Sequence, residues 1–170
     1  MKTWIWLFIL FIIGQRLVEL VIAKRNEKWM MARGGIIKGE NHYKWFIILH
    51  TLFFIFIVGE VYVFQRSVML NYLLLLIFVM TQLARVWCIT TLGKFWNTKI
   101  IVLPRVALIK KGPYKYVKHP NYIIVGIELF IIPLLFGAYF TAVLFPLLHL
   151  LLLKVRIPKE EKALATVTKM

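Results

Sequence analysis

Long unbroken runs of apolar residues, separated by short basic segments, dominate the chain. A bilayer core takes about 20 helical residues to cross. Three stretches meet that length, 3–23, 45–64 and 68–92. A fourth apolar stretch, 122–155, would extend about 51 Å as one helix, well beyond a core of about 30 Å. Pro133, Gly137 and Pro146 interrupt it and offer places to turn. The pattern therefore predicts two helices, 122–137 and 138–155, joined by a tight turn at Phe136-Gly137-Ala138. Whether that hairpin crosses fully or re-enters is left open, because its first arm is short. The first stretch is read as a retained span: it contains Arg16 and Glu19 and lacks a small-x-small cleavage pattern.

Composition supports this reading. Hydrophobic residues make up 61% of the chain and charged ones 17%, with a mean hydropathy of +0.80. Soluble domains run near 45–50% apolar and about 25% charged, so a soluble domain is excluded. The expectation is an all-α integral membrane protein, a single membrane domain over 1–170 with about five transmembrane segments. The lone cysteine, Cys88, excludes an internal disulfide and a cysteine-based zinc site.

The formal net charge of +15 on a soluble chain would suggest nucleic acid. Here it sorts by side. The segments 24–44, 93–121 and the tail from Lys154 carry 18 Lys and Arg residues, against Lys2 and Arg66 on the other face. The positive-inside rule then predicts that the N-terminus faces out and the tail faces the cytoplasm. Orientation and an anionic inner leaflet account for most of the excess, and no nucleic-acid partner is expected.

Ionisable groups inside spans are costly and point to sites. With this topology Arg16, Glu19, His50, Arg85, Glu128 and His149 share the inner half of the bilayer, while Glu60 and Asn71 lie toward the outer face. Arg16 and Glu19 are spaced to pair within one helix, and Arg85 is placed to snorkel. Glu128 has no basic neighbour one turn away and reads as a buried carboxylate without an evident partner.

The segment 93–122 is the longest outside the membrane. Its pieces 96–102 and 106–109 are β-prone. Then follows Gly112-Pro113-Tyr114, with Lys118-His119-Pro120-Asn121-Tyr122 just beyond; Gly-Pro and His-Pro force turns and display tyrosines and a histidine. After the last span the chain reads Arg156-Ile157-Pro158-Lys159-Glu160-Glu161. Aromatic faces suit a cation or an adenine ring, a glutamate suits ribose hydroxyls, and an arginine fork suits a carboxylate. The same features also describe an aromatic, polybasic interfacial loop.

Taken together, Gly112-Pro113-Tyr114, Lys118-His119-Pro120-Asn121-Tyr122 and Arg156-x-x-x-Glu160-Glu161 resemble the isoprenylcysteine carboxyl methyltransferase family. The likeness is to its short prokaryotic-type members. Arg16-x-x-Glu19-Leu20, Arg25-Asn26 and His42-Tyr43 extend it over most of the chain. The resemblance implies S-adenosylmethionine as cofactor, bound without a dinucleotide fold. By position it implies that Leu108 and Ile109 line the adenosyl pocket and that Tyr114 stacks there. His119, Pro120, Asn121 and Tyr122 would form its floor, Glu160 would contact the cofactor, and Arg156 would face the acceptor. Two positions depart from the family pattern: Val106 stands where many members have histidine, and Lys118 where arginine is usual. No metal is implied.

The activity expected is O-methylation of a membrane-dissolved, lipid-like acceptor. It would be an isoprenylcysteine-type carboxylate or the hydroxyl of a long-chain product such as an alkylpyrone. Arg156 would orient a carboxylate, and Glu128 or His119 would act as base for a hydroxyl. The active site would face the cytoplasm of a prokaryotic cell membrane. Alternatives are a phospholipid N-methyltransferase, a membrane reductase of similar architecture, a small proton-coupled transporter using Glu19, Glu60 or Glu128, and a non-catalytic scaffold.

Overall fold

The computed structural model describes residues 3–38, 40–66, 69–104 and 106–168, with side chains for all of these except 40–42 and 166–168. The chain is an all-α integral membrane protein, with five α-helices among the described residues: α1 Thr3–Met31, α2 Glu40–Phe64, α3 Tyr72–Leu92, α4 Pro120–Leu135 and α5 Tyr139–Thr168. Four are long and apolar enough to cross a membrane, and α4 is shorter. Ile9, Ile12, Phe53, Ile57, Phe78, Leu129, Ile132 and Phe145 interlock at the centre of the bundle. Leu7, Val21, Leu73, Leu83, Phe140 and Leu151 remain exposed on its outside, the surface that lipid covers.

Three helices outrun the expected spans: α2 begins at Glu40 rather than at 45, and α1 and α5 overrun further. No glycine or proline interrupts Lys24–Met31, so α1 continues to Met31 and stops where Gly34, at φ +80, turns the chain. The adjacent Gly35 accepts no side chain, because a Cβ there would meet the Met30 carbonyl oxygen at 2.8 Å. Likewise α5 runs unbroken through Pro146 and Pro158, about 45 Å at 1.5 Å per residue. The tail beyond 155 is thus a helical extension. On α3, Asn71 caps the N-terminus, its Oδ1 accepting from Leu73 and Leu74 at 3.0 and 3.2 Å. Val68, the expected start of that span, lies outside the described residues.

Between the helices, β1 (Ile36–Lys38) pairs antiparallel with β2 (Ile100–Val102), Ile37 opposite Ile101. This pairing was not expected of an all-helical chain, although 96–102 was read as β-prone; 106–109 forms no strand. Ile100 and Val102 pack against Ala163 and Leu164, so the α5 extension holds the sheet to the end of the bundle. Asn26 fastens α1 there too, donating to the carbonyls of Gly93 and Trp96 at 3.1 and 2.7 Å.

The α4–α5 hairpin turns at Phe136-Gly137-Ala138, with Gly137 at φ +70. Glu60 of α2 caps the start of α5 from the side. It accepts from the backbone amides of Phe140 and Thr141 at 3.0 and 2.9 Å, and from the Thr141 hydroxyl at 2.9 Å. These amides have no partner within their own helix, and a carboxylate complements the helix dipole. Arg66 completes the corner, 3.3 Å from Glu60 and bonded to the Gly137 carbonyl.

Candidate functional site

At the opposite end of α5 a second polar cluster forms where α4 begins. Pro120 occupies the first helical position, where its missing N–H costs nothing, and His119 lies just before it. The His119 ring stacks on Tyr122, with centroids 5.4 Å apart and planes 17° apart. Glu160 and Glu161 come up from the α5 extension: His119 Nδ1 is 3.7 Å from Glu160 and Nε2 is 3.5 Å from Glu161. The Tyr122 hydroxyl donates to Glu160 and accepts from Arg156 Nε at 2.7 Å.

Arg156 is only 7% exposed. Its Nη2 donates to the Thr98 carbonyl at 2.6 Å, and its guanidinium lies 4.7 Å over the Phe46 ring. A guanidinium has five N–H donors; Tyr122 and Thr98 engage two nitrogens, and Nη1 carries no hydrogen bond among those of the described residues. Beneath it, His149 is buried, its Nε2 3.2 Å from the Tyr122 carbonyl and its ring edge-on to Phe46. Two buried acceptors, Asn121 Oδ1 and His149 Nδ1, have no hydrogen-bond partner among the described residues.

Of the residues expected to bind cofactor, His119, Asn121, Tyr122 and Glu160 come together around Pro120, joined by Arg156. Tyr114 sits on a short 3-10 turn, Gly112–Lys115. Burial pushes its phenol above the usual tyrosine range, and a neighbouring Cys88 thiol on α3, to which it hydrogen-bonds, adds to the shift. Leu108 is 44% exposed and Ile109 partly buried, both on an irregular segment. Phe46 and Thr98 were not anticipated as site residues; Thr98 lies in the piece 96–102 read only as β-prone, and Phe46 follows the His42-Tyr43 pair, of which the His42 side chain lies outside those described.

Glu128 requires a correction. It is 2% exposed but has partners from two other helices. One oxygen accepts from Gln82 at 2.7 Å and Arg85 Nε at 3.1 Å, the other from Arg16 at 2.8 Å and from Arg85 Nη2. Arg85 does not snorkel; it is buried and also reaches Glu19 at 3.1 Å. Arg16 pairs with Glu19 as expected, at 2.8 and 2.9 Å. The physical reason is desolvation: buried charges persist when they pair and fill one another's hydrogen-bonding capacity. The partners stand 43 and 112 residues from Glu128 in sequence, beyond the reach of spacing within one helix.

The sequence profile of the isoprenylcysteine carboxyl methyltransferase family matches residues 73–166, which contain α4, the buried Arg85 and the His119–Tyr122–Arg156–Glu160 cluster. An uncharacterized protein, YpbQ, of Bacillus subtilis (strain 168) is 43% identical over 160 residues, covering 94% of this chain and 95% of its own. An uncharacterized protein of Haemophilus influenzae is 33% identical over 160 residues, covering 91% of each.

Proposed function

The chain belongs to the isoprenylcysteine carboxyl methyltransferase family, and from that premise we propose that it is an S-adenosylmethionine-dependent O-methyltransferase acting on a lipid-like acceptor dissolved in the membrane. The observation that carries the proposal is the Tyr122 hydroxyl held between Arg156 and Glu160. It joins a candidate cofactor-binding acid to a candidate acceptor-binding base at the membrane boundary.

The residues fit such a cofactor. The stacked His119 and Tyr122 rings offer an aromatic face for an adenine or a cation. Glu160 offers acceptor oxygens for ribose hydroxyls. Asn121 Oδ1, buried and without a partner among the described residues, suits an amino group. When bound, S-adenosylmethionine supplies a methyl group made electrophilic by its sulfonium.

What the chain must supply is alignment, which alone accounts for a large share of such rate enhancements. Arg156 is fixed by Tyr122, Thr98 and Phe46, and its remaining donors would hold the acceptor oxygen. A carboxylate of the isoprenylcysteine type needs no base. A hydroxyl, as on an alkylpyrone-like product, calls for one, and His119 is the better candidate. Glu128 already accepts four hydrogen bonds and is assigned here to architecture. The same saturation, with Glu60 engaged at the α5 cap, weighs against a proton-relay transporter. In the orientation read from the basic loops, cofactor would enter from the cytoplasm and acceptor laterally from the inner leaflet.

The test is methyl transfer in membranes containing the protein, with isotope-labelled methyl donor. A labelled lipid heavier by one methylene is expected, formed at least about tenfold more slowly with Arg156→Lys. No labelled lipid from membranes shown to contain folded protein would contradict the proposal.

A further inference from the structure

Helix α5 holds Tyr122 at both of its ends. The hydroxyl accepts from Arg156 Nε at 2.7 Å, and the backbone carbonyl lies 3.2 Å from His149 Nε2. A carbonyl only accepts, so Nε2 carries the hydrogen and donates. Gly126, one turn along α4, gives the imidazole its approach: an added Cβ there would already touch Cδ2 at 3.7 Å.

Helix α4 does not need this bond. Tyr122 is the third residue of Pro120–Leu135, so its carbonyl already faces the amide four residues on, and a second lone pair is left for a side chain. The histidine also carries a cost. Its Nδ1 is buried without a hydrogen-bond partner among the described residues, and an apolar ring of similar size would bury no such orphan. Packing alone does not account for His149.

Geometry links the bond to Arg156. The two residues are seven apart on α5, about two turns and roughly 10.5 Å along one face. Phe46 of α2 touches both. His149 meets its ring edge-on, with centroids 6.1 Å apart, and the Arg156 guanidinium lies 4.7 Å over it. A carbonyl inside a helix cannot rotate away as a side chain can. The His149 bond therefore fixes α5 against α4 just before Arg156, at the residue whose hydroxyl Arg156 engages.

We propose that His149 is a positioning residue of the methyl-transfer site. By tying α5 to the Tyr122 carbonyl and bracing Phe46, it sets the direction in which Arg156 presents its unengaged Nη1 to the acceptor oxygen. The proposal rests on the methyl-transfer reading of the site, and His149 acts through Tyr122 and Phe46 rather than on the reacting atoms.

The experiment compares His149→Gln and His149→Phe in the full chain in phospholipid nanodiscs. Gln keeps an N–H near the place of Nε2, for the Tyr122 carbonyl. Phe keeps the ring edge against Phe46 and removes that donor together with the orphaned nitrogen. Turnover is measured with labelled methyl donor and two probes, N-acetyl-S-farnesylcysteine for a carboxylate and a long-chain alkylpyrone for a hydroxyl. The kcat of His149→Phe should fall about tenfold, the worth of one hydrogen bond, and His149→Gln should recover to within about threefold of wild type. KM for the methyl donor should stay within about twofold in both, since Glu160 keeps Tyr122 and His119. Melting temperature should not follow this order, because His149→Phe loses an orphan along with a bond. Turnover that tracks stability across the variants would overturn the proposal. So would His149→Phe at the wild-type rate, or His149→Gln as slow as His149→Phe, the pattern of a base at Nδ1.

A second readout needs no methyl donor. With ¹⁵N-labelled arginine, the Arg156 Nε resonance, assigned by its loss in Arg156→Lys, should persist in His149→Gln and shift or broaden in His149→Phe. If the wild type methylates neither probe while this resonance follows the donor, the methyl-transfer reading fails and the hold on Arg156 stands. An Arg156 resonance identical in His149→Phe and wild type removes the positioning role whatever the turnover.

Discussion

The Tyr122 hydroxyl accepts from Arg156 Nε at 2.7 Å while donating to Glu160. One phenol thereby fixes both the buried arginine and the glutamate on the α5 extension. Tyr122→Phe keeps the ring that stacks on His119 and removes only the hydroxyl. It should weaken S-adenosylhomocysteine binding about tenfold or more, since a buried Arg156 donor is left unpaired. Titration calorimetry on detergent-solubilised protein measures this, and an unchanged affinity would detach Tyr122 from the site.

Arg156→Lys tests geometry rather than charge. Lysine keeps the positive charge, but its ammonium cannot span Tyr122 and the Thr98 carbonyl while stacking on Phe46 as a planar fork does. Turnover on any acceptor should fall by at least about tenfold, the effect of roughly one lost charged hydrogen bond. Near-wild-type turnover would mean that only a point charge is required there.

Glu128 separates architecture from catalysis. Glu128→Gln leaves Arg16 and Arg85 facing a neutral amide in the bundle interior. Removing one partner of a buried ion pair costs about 3–5 kcal/mol, so the variant should melt well below the wild type in detergent. A general-base role predicts the opposite pattern, an unchanged melting temperature with turnover lowered about 10²–10⁴-fold.

The corner at Glu60 supplies a contrast, because it lies at the far end of α5 from the candidate site. Glu60→Ala removes the acceptor for the Phe140 and Thr141 amides and should destabilise by about 0.5–2 kcal/mol, as for a lost helix cap. S-adenosylhomocysteine affinity should remain within twofold at a temperature where the variant is folded. A larger loss of affinity than of stability would show that the two ends of α5 are coupled.

Much of this architecture is legible in the sequence, for identifiable reasons. Apolar runs of bilayer length give the helices, and Gly137 with flanking small and aromatic residues gives the α4–α5 turn. The His-Pro step marks the α4 start because proline cannot lie deep in a helix but fits its first position. Helix ends were less legible. Lys24–Met31 is charged yet contains no breaker, so the helix outlasts the apolar stretch, and Pro158 is accommodated within α5.

Pairings were the least legible. Glu128 looked unpartnered because helical spacing reveals only neighbours three or four residues away, whereas Arg16, Gln82 and Arg85 come from two other helices. Gln82, three residues before Arg85, was the available signal: two polar residues one turn apart within an apolar run point to one buried partner. For the Arg156–Thr98 bond no sequence signal exists, since the acceptor is a backbone carbonyl.

The most direct test of the central claim is S-adenosylhomocysteine binding to purified full-length protein, read as thermal stabilisation across ligand concentration. The wild type should be stabilised progressively, following mass action for binding to the folded state. Glu160→Ala and His119→Ala should each lose most of that gain while keeping the unliganded melting temperature within a few degrees. No stabilisation of the wild type, or undiminished stabilisation in both variants, would contradict a cofactor site built on His119, Tyr122 and Glu160.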